Sequence, residues 1–539
     1  MEHSLLHGLQ LLGLIVVGGT FWFLLLAFLA GITSERREAV DLACLWGRRA
    51  SWTAGLAALA DLFVQVAEVK GRTVFGGVDP TLVASFVAST TVGQMGFARA
   101  ILLLLCGLAL AIPLRTPGVL TALPFYVVSA TLAAAVSHAG AQPEKTILAV
   151  ALHLAHIMAL SAWIGVLLHL WLGRRQWIEP DTGDAAARWV RLLAWFSPVA
   201  GSSAALVFVT GVLAAVRFVP SLRDLFVSAY GLTLLLKLVL VAVVGVAGAY
   251  NFLVAVPRLK QAAREFTAVA WFSATRRFHR SLELEATAAF LVVIVAGIVG
   301  SISPPGADGS VTLSREQVAV LMTPKLPSTS FVDPTLFVGD WERNRFDLLY
   351  SEFMHNWSGL GVTLMATLWL LQAAGGRVEM VASKVWPAFL VPFALFIAIF
   401  ADPEVFLLRQ VKFREALSDP VVLEHQAGAI MVLALAWLGW RDRYRPASQR
   451  PLGPGLPILM IVGSVLLLGH AHASVRSTQE LTNIINVQHA VFGTLGLLAG
   501  VTRWLMLRGI IPSAAARFLW PVLVMLLGLF MTFFYREVL

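Results

Sequence analysis

The sequence predicts an all-α, polytopic transmembrane helical bundle, and two features support this prediction. Of the 539 residues, 58% are hydrophobic and only 13% are charged, and the mean hydropathy is +0.79. Apolar stretches of about 20 residues, the length of a membrane-spanning helix, recur along the whole chain. Because backbone polar groups in lipid must be satisfied within the segment itself, we expect these stretches to form helices.

Hydropathy predicts about 14 spans in an 8 + 6 arrangement. The first eight are expected near residues 10–32, 48–69, 95–113, 117–138, 146–172, 190–217, 229–256 and 280–302. The last six are expected near residues 348–374, 383–401, 420–440, 455–472, 482–507 and 515–536. A polar, proline-rich connection separates the two groups. The predicted domains are an eight-helix part at 1–306, the connection at 307–347 and a six-helix, His-rich part at 348–539.

The basic residues indicate topology rather than a polyanionic partner. The formal net charge is +9, but Arg and Lys cluster in short loops such as "ERREAV", "GRRQW", "TRRFHRS" and "WRDRYRP". This pattern is typical of loops retained in the cytoplasm, so both termini are expected outside. The expected surroundings are a lipid bilayer, with no nucleic-acid partner. The sequence contains no phosphate-binding glycine loop and no nucleophile elbow, which argues against ATP-driven pumping and hydrolysis.

The positions of the 12 histidines are the most informative feature of the sequence. In the predicted topology only His169 and His279 fall at the cytoplasmic side, and the other ten lie at the outer side. A single His near a helix end is usually an interfacial residue bonded to a carbonyl group or to water. Ten on one side favour a shared site, because ionisable groups within a membrane are costly and usually functional.

Spacing predicts two local His groups. His153 and His156, at i and i+3, lie on one helical face, and a short loop would return His138 towards them. His470 and His472 end the twelfth span in "LLLGHAHASVRS". At i and i+2 they do not share a helical face, but in an extended segment their side chains point the same way.

Three further histidines begin helices on the same side of the membrane: His355 in the ninth span, His425 in the eleventh and His489 in the thirteenth. Imidazole with occasional thioether suits copper, whereas clustered carboxylates for Ca²⁺ or Mg²⁺ and cysteine pairs for zinc are lacking. The predicted metal ligands are therefore His138, His153, His156, His355, His425, His470, His472 and His489.

Haem b is the alternative cofactor, because pairs of His on neighbouring helices also hold haem in membrane bundles. The candidate axial ligands are His355, His425, His470 or His472, and His489. Glycines follow three of them, at Gly359, Gly428 and Gly493, where a flat macrocycle would approach the backbone. Glycine equally serves helix packing in membranes. A b-type cytochrome, with redox activity and possible coupling to copper reduction, is thus the second functional hypothesis.

Lys237 lies in the middle of the seventh span, where an unpaired ammonium group would be costly. It could pair with Asp61 or with an acidic residue of the eighth span, or it could snorkel towards the membrane surface; we expect a structural pair.

Three segments of the first part resemble the CopD copper-resistance family. They are "SHAGAQPEKTILAVALHLAHIMALSAWIGVLLHLW" at 137–171, "YGLTLLLKLVLVAVVGVAGAYNFLVAVPRL" at 230–259 and "RSLELEATAAFLVVIVAGIVGSISPPG" at 280–306. The second contains the family's pattern at Tyr230, Gly231, Lys237, Gly248 and Asn251. The resemblance covers roughly residues 10–306, and the six-helix part resembles the extension of some long CopD-like proteins.

The resemblance implies copper transport or copper resistance at the bacterial inner membrane rather than an enzyme. It implies a multi-pass protein whose sites face the periplasm, where a small CopC-type copper-binding protein would be a partner. Carried over residue by residue, it places copper on His138, His153 and His156. It assigns nothing to His470 and His472, which depend on their spacing alone.

Overall fold

The structure of the chain is a computed structural model that describes residues 2–32, 37–112, 115–137, 147–174, 183–265, 267–305, 312–336, 344–443, 453–469 and 478–539. Within these ranges the regular secondary structure is helical and contains no strand. Thirteen of the helices are long and apolar enough to cross a membrane. The predicted fold class, a polytopic helical bundle, is therefore confirmed.

The long helices are labelled in chain order. Before the polar connection they are α1 (Glu2–Leu29), α2 (Arg37–Val69), α3 (Thr91–Ala109), α4 (Arg115–Ala135), α5 (Ile147–Leu172), α6 (Gly183–Phe218), α7 (Ala229–Arg264) and α8 (Ala268–Val299). After it they are α9 (Arg345–Ala374), α10 (Gly376–Phe400), α11 (Pro420–Arg443), α12 (Gly455–Gly469), α13 (Gln479–Leu507) and α14 (Ser513–Phe533). Short helices form at Pro80–Ser89, Asp224–Val227, Arg315–Leu321, Pro403–Phe406 and Phe413–Ala416.

α12 is the one long helix that falls short of a full span. It has 15 residues and stops at Gly469, just before the predicted His pair. Residues 470–477 lie outside the described ranges, so the end of the predicted twelfth span is not described. The 8 + 6 arrangement, the three predicted domains and the outside termini therefore remain predictions.

Local sequence signals explain where several helices begin and turn. Ser228, Asn344 and Thr478 precede α7, α9 and α13, and each side chain accepts a hydrogen bond from a backbone N–H of the first turn. Such caps satisfy donors that the helix itself leaves unpaired. Gly375 joins α9 to α10 with φ of 84°, a conformation that side chains other than glycine rarely adopt.

α1 and α8 form the centre of the bundle. One continuous apolar cluster includes Phe23 of α1 and Ala289 of α8, both fully buried. The same cluster takes in Val465, Leu468 and Leu497 from the six-helix part. The two predicted parts therefore pack against each other through apolar side chains.

An ion pair also joins the two parts. Glu283 of α8 accepts two hydrogen bonds from the Arg508 guanidinium at the end of α13, at 2.8 and 2.9 Å. The indole N–H of Trp171, at the end of α5, donates to the same carboxylate at 3.1 Å. A bidentate guanidinium–carboxylate pair is directional, so it orients α8 relative to α13.

The backbones of α1 and α5 come into close contact at Gly19 and Gly165, and this contact requires glycine at both positions. A methyl group placed at Gly165 would lie 2.3 Å from the Ile15 carbonyl oxygen and 2.7 Å from the Gly19 Cα. Small residues at such crossings let membrane helices approach each other closely.

We expect Gly165→Val to separate α1 from α5, because the added side chain meets backbone atoms that cannot move independently. The overpacking should cost about 1–3 kcal/mol and lower the apparent Tm of the detergent-solubilised protein. Gly245→Val is the matched control, since a methyl group there has nothing within 4 Å. Equal melting of the two variants would contradict the proposed crossing.

Candidate functional site

Five of the eight predicted metal ligands lie in described residues: His153, His156, His355, His425 and His489. The other three, His138, His470 and His472, lie outside the described ranges. The structure therefore describes one His pair in the eight-helix part and three His residues in the six-helix part.

The first pair lies on α5. The rings of His153 and His156 stack with centroids 6.4 Å apart and planes inclined by 18°, so they share one face as the spacing predicts. Nδ1 of His156 lies 2.7 Å from the Thr210 hydroxyl oxygen on α6. That hydroxyl donates its own proton to the Leu206 carbonyl oxygen at 2.7 Å.

The tautomer of His156 follows from these two bonds. Because the Thr210 proton is already used, the hydroxyl accepts from an Nδ1–H group of His156. Nε2 of the neutral ring then carries the lone pair, which is the form that ligates metals. Thr210 is thus an orienting residue that spacing arguments did not find, since a threonine within an apolar helix is unremarkable in a sequence.

Lys237 of α7 lies close enough to His156 for their charges to interact. The expected pairing of Lys237 with Asp61 is wrong. Asp61 instead lies 2.7 Å from Nδ1 of His3 and accepts hydrogen bonds from Gln10 at 3.2 Å and Gln65 at 3.0 Å. These partners from α1 and α2 satisfy the buried carboxylate, so it needs no cation from α7.

In the six-helix part, His355, His489 and Tyr535 form what we call the imidazole–tyrosine cluster. The rings of His355 and His489 meet edge to face, with centroids 5.5 Å apart and planes at 88°. Tyr535 stacks on His355 with centroids 4.0 Å apart. The cluster therefore joins α9, α13 and the segment that follows α14.

Backbone carbonyl groups orient both imidazoles of this cluster. Nδ1 of His355 donates to the Ser351 carbonyl oxygen at 2.8 Å, and Nδ1 of His489 donates to that of Ile485 at 2.9 Å. Each bond runs to the residue one turn earlier on the same helix. As at His156, this assigns the ring lone pair to Nε2.

The tail beyond α14 is held by buried carboxylates. The Tyr535 hydroxyl donates to Glu537 at 2.6 Å, and the backbone N–H of Glu537 donates to Glu352 at 3.3 Å. Lys325, from the polar connection, pairs with Glu352. Glu352 thus anchors the tail and the connection, and the orientation of His355 comes from the Ser351 carbonyl group.

His425 is oriented by a carboxylate. Its Nδ1 lies 2.8 Å from Asp402, which is almost fully buried and follows the end of α10. A His–carboxylate pair of this kind commonly supports a metal ligand. The sequence allowed this pairing to be predicted, since Asp402 follows the tenth span and His425 begins the eleventh, and these two ends lie on the same predicted side of the membrane.

Two of the three glycines that favoured haem serve helix packing. A methyl group at Gly359 would lie 2.6 Å from the Thr532 nitrogen of α14, and one at Gly493 would lie 2.6 Å from Leu468 of α12. Only Gly428 has open space beside it. The edge-to-face rings of His355 and His489 also differ from two ligands facing each other across a macrocycle.

The described ranges contain no group of three or more His, Cys, Asp or Glu residues arranged to hold a metal ion. His153 and His156 form one pair, and His355 and His489 form another beside Tyr535. A complete ligand set at either pair would need a further donor from the undescribed residues or from a partner.

The fold defines a multi-pass helical membrane protein, and one stretch of the chain matches a known family model. Residues 190–299 match the family model described as Copper resistance protein D, CopD. No curated protein and no solved structure shows a significant match to the chain. The chain therefore carries a CopD-type segment from α6 to α8, and the resemblance seen in the sequence is confirmed there. The match does not extend to the six-helix part.

The titration of Glu404 gives a test of the His425 environment. Burial and the neighbouring Asp402 raise the pKa of Glu404 from 4.5 to about 7. A raised carboxyl pKa contributes stability that is fully present below pH 4.5 and is lost as the pH rises through 7. Replacing Glu404 by Gln removes this dependence.

We therefore expect the apparent Tm of Glu404→Gln, relative to the unmodified protein, to increase as the pH is raised from about 5 to 8. Thermal unfolding in detergent at a series of pH values measures it. Glu415→Gln, at an exposed carboxylate nearby, is the control. Parallel pH profiles for all three proteins would contradict the assigned pKa.

Proposed function

We propose that this protein handles copper at the bacterial inner membrane and takes the ion from the periplasmic side through His-lined sites. The observation that carries the proposal is the CopD match over residues 190–299. The matched segment includes Thr210, whose hydroxyl orients His156 on the neighbouring helix. The copper-family segment and the candidate ligand pair are thus in direct contact.

The chemistry of the His153–His156 pair suits copper as cargo. Neutral imidazole nitrogens bind Cu(I) and Cu(II). Met158, two residues further along α5, does not share the face of this pair: its sulfur lies 3.5 Å from the Tyr126 hydroxyl of α4, whereas His156 contacts Thr210 of α6.

The imidazole–tyrosine cluster is the second proposed copper site. Its two Nε2 lone pairs are set by backbone bonds. His470 and His472 follow the end of α12, which packs against α13, and are proposed as its further donors. A CopC-type periplasmic protein is the proposed source of the ion.

A b-type haem at His355, His425, His470 and His489 remains the alternative cofactor assignment. Two of the three glycines that favoured haem contact neighbouring helices instead, so haem has less support than copper. In the leading proposal the protein is a transporter and not an enzyme; redox activity would accompany haem.

The first test replaces the orienting hydroxyl. Thr210→Val keeps the shape of the side chain and removes the acceptor for His156, so we expect roughly 10-fold weaker copper binding. Thr210→Ser keeps the hydroxyl and should bind copper normally. Binding is measured by competition with a chelator of known affinity, and equal affinity of the two variants would argue against His156 as a ligand.

The transport role is tested in cells that lack other copper uptake. Copper accumulation should depend on the protein, and His153→Ala with His156→Ala should reduce it to the level of cells without the protein. His279→Ala, at the basic end of α8, should leave it unchanged. Accumulation that is independent of the protein would contradict copper transport, whatever the state of the sites.

The six-helix site is tested by metal analysis and spectroscopy of the purified protein. His355→Ala with His489→Ala should lower the copper content, whereas Tyr535→Phe, which keeps the stacked ring, should retain it. Sharp Soret and α bands in a reduced-minus-oxidised spectrum, lost in the double His variant, would overturn copper in favour of haem.

A further inference from the structure

Glu285 is a buried carboxyl group that the copper sites leave unexplained. It lies in α8, with 4% of its surface exposed. Its Oε2 is 2.6 Å from the side-chain amide of Asn251 on α7, and Trp163 of α5 also interacts with it. Three helices therefore meet at one acidic side chain inside the bundle.

Both partners of Glu285 lie in π-helical turns. Trp163 is in the turn Ser161–Gly165, within α5, and Asn251 is in the turn Asn251–Ala255, within α7. Such turns are rare and occur frequently at functional sites, because the extra residue changes where side chains point. Gly248 makes room for the carboxyl group, since a methyl group there would lie 3.0 Å from Glu285 Oε1.

No described cationic side chain faces Glu285. On the same helix as Glu285, the Glu283 carboxylate is paired with Arg508 of α13. From α5, His169 lies 3.0 Å from the Thr20 hydroxyl of α1. From α7, Lys237 interacts with His156.

Without a neighbouring cation, an ionised carboxylate buried here would be costly. The neutral acid avoids that cost.

The contact with Asn251 is compatible with the neutral acid. A protonated carboxyl group keeps an acceptor oxygen for the Asn251 amide N–H, which lies 2.6 Å from Oε2. The other amide atom is buried and has no hydrogen-bond partner within the described chain.

We propose that Glu285 is the proton-carrying group of the eight-helix part: it holds a proton at rest and exchanges it with the aqueous phase. The unpartnered amide atom offers a place for a water molecule, which takes the proton as the carboxylic O–H bond breaks and leaves a carboxylate. Coupling of this exchange to copper passage rests on the proposed function.

The position of Glu285 suits the coupling of proton exchange to copper passage. Trp163 follows His156 by seven residues on α5, which is about 10 Å along the helix axis. A cation that moves inward from the His pair therefore approaches Glu285. Release of one proton leaves one negative charge there, so one positive charge replaces another and the bundle gains no net charge.

Infrared spectroscopy of the whole protein tests the proton site independently of transport. The unmodified protein should show a protonated-carboxyl C=O component that shifts on deuteration and is missing in Glu285→Gln. The comparison is made in a Glu404→Gln background, because Glu404, with a pKa of about 7, contributes a component of its own. Glu283→Gln is the matched control two residues away, where the carboxylate is paired with Arg508, and it should retain the band. Asn251→Leu should move the band to higher frequency by removing its hydrogen bond.

Identical spectra for the unmodified protein and a folded Glu285→Gln variant would overturn the proposal, as would a band that persists unchanged over the whole pH range in which the protein is stable. Coupling is then measured in vesicles with copper outside and a pH-sensitive dye inside. Proton movement driven by copper should be lost in Glu285→Gln and retained in Glu285→Asp. Copper uptake without proton movement would overturn coupling, whereas absent copper uptake would overturn the proposed function and leave the infrared result standing.

Discussion

Polar side chains within an apolar bundle need partners that the protein itself supplies, and this requirement organises the whole structure. Asp61 gathers His3, Gln10 and Gln65 from two helices. Glu283 draws Arg508 across from the six-helix part. Each of these pairings determines how neighbouring helices lie against one another. The polar residues therefore decide which apolar surfaces meet, although apolar contacts supply most of the buried area.

The same requirement orients several imidazoles. His156, His355 and His489 each use Nδ1 in a hydrogen bond, to a hydroxyl or to a carbonyl group one turn back. A ring held in this way has a fixed orientation and its lone pair at Nε2, which is the form that the proposed copper sites require.

How far the sequence predicted these sites depends on the type of contact. The face shared by His153 and His156 follows from helix geometry alone, and the structure has it. The pairing of Lys237 with Asp61 was wrong, because hydropathy locates a charge in a helix without revealing which neighbour is within reach. The glycines after His355 and His489 were ambiguous for the same reason. Their role depends on whether a helix or a ligand lies opposite, and α14 and α12 occupy those places.

By itself the sequence determined the membrane-spanning class, the positions of the long helices and the CopD-type segment. Each depends on composition or pattern along one stretch of chain, and lipid allows few alternatives for an apolar stretch of that length. Only the tertiary structure decided that Thr210 orients His156, that Tyr535 stacks on His355, and that Trp163 and Asn251 meet at Glu285. These contacts join residues far apart in sequence, and helix rotation and crossing, which no local pattern encodes, bring them together.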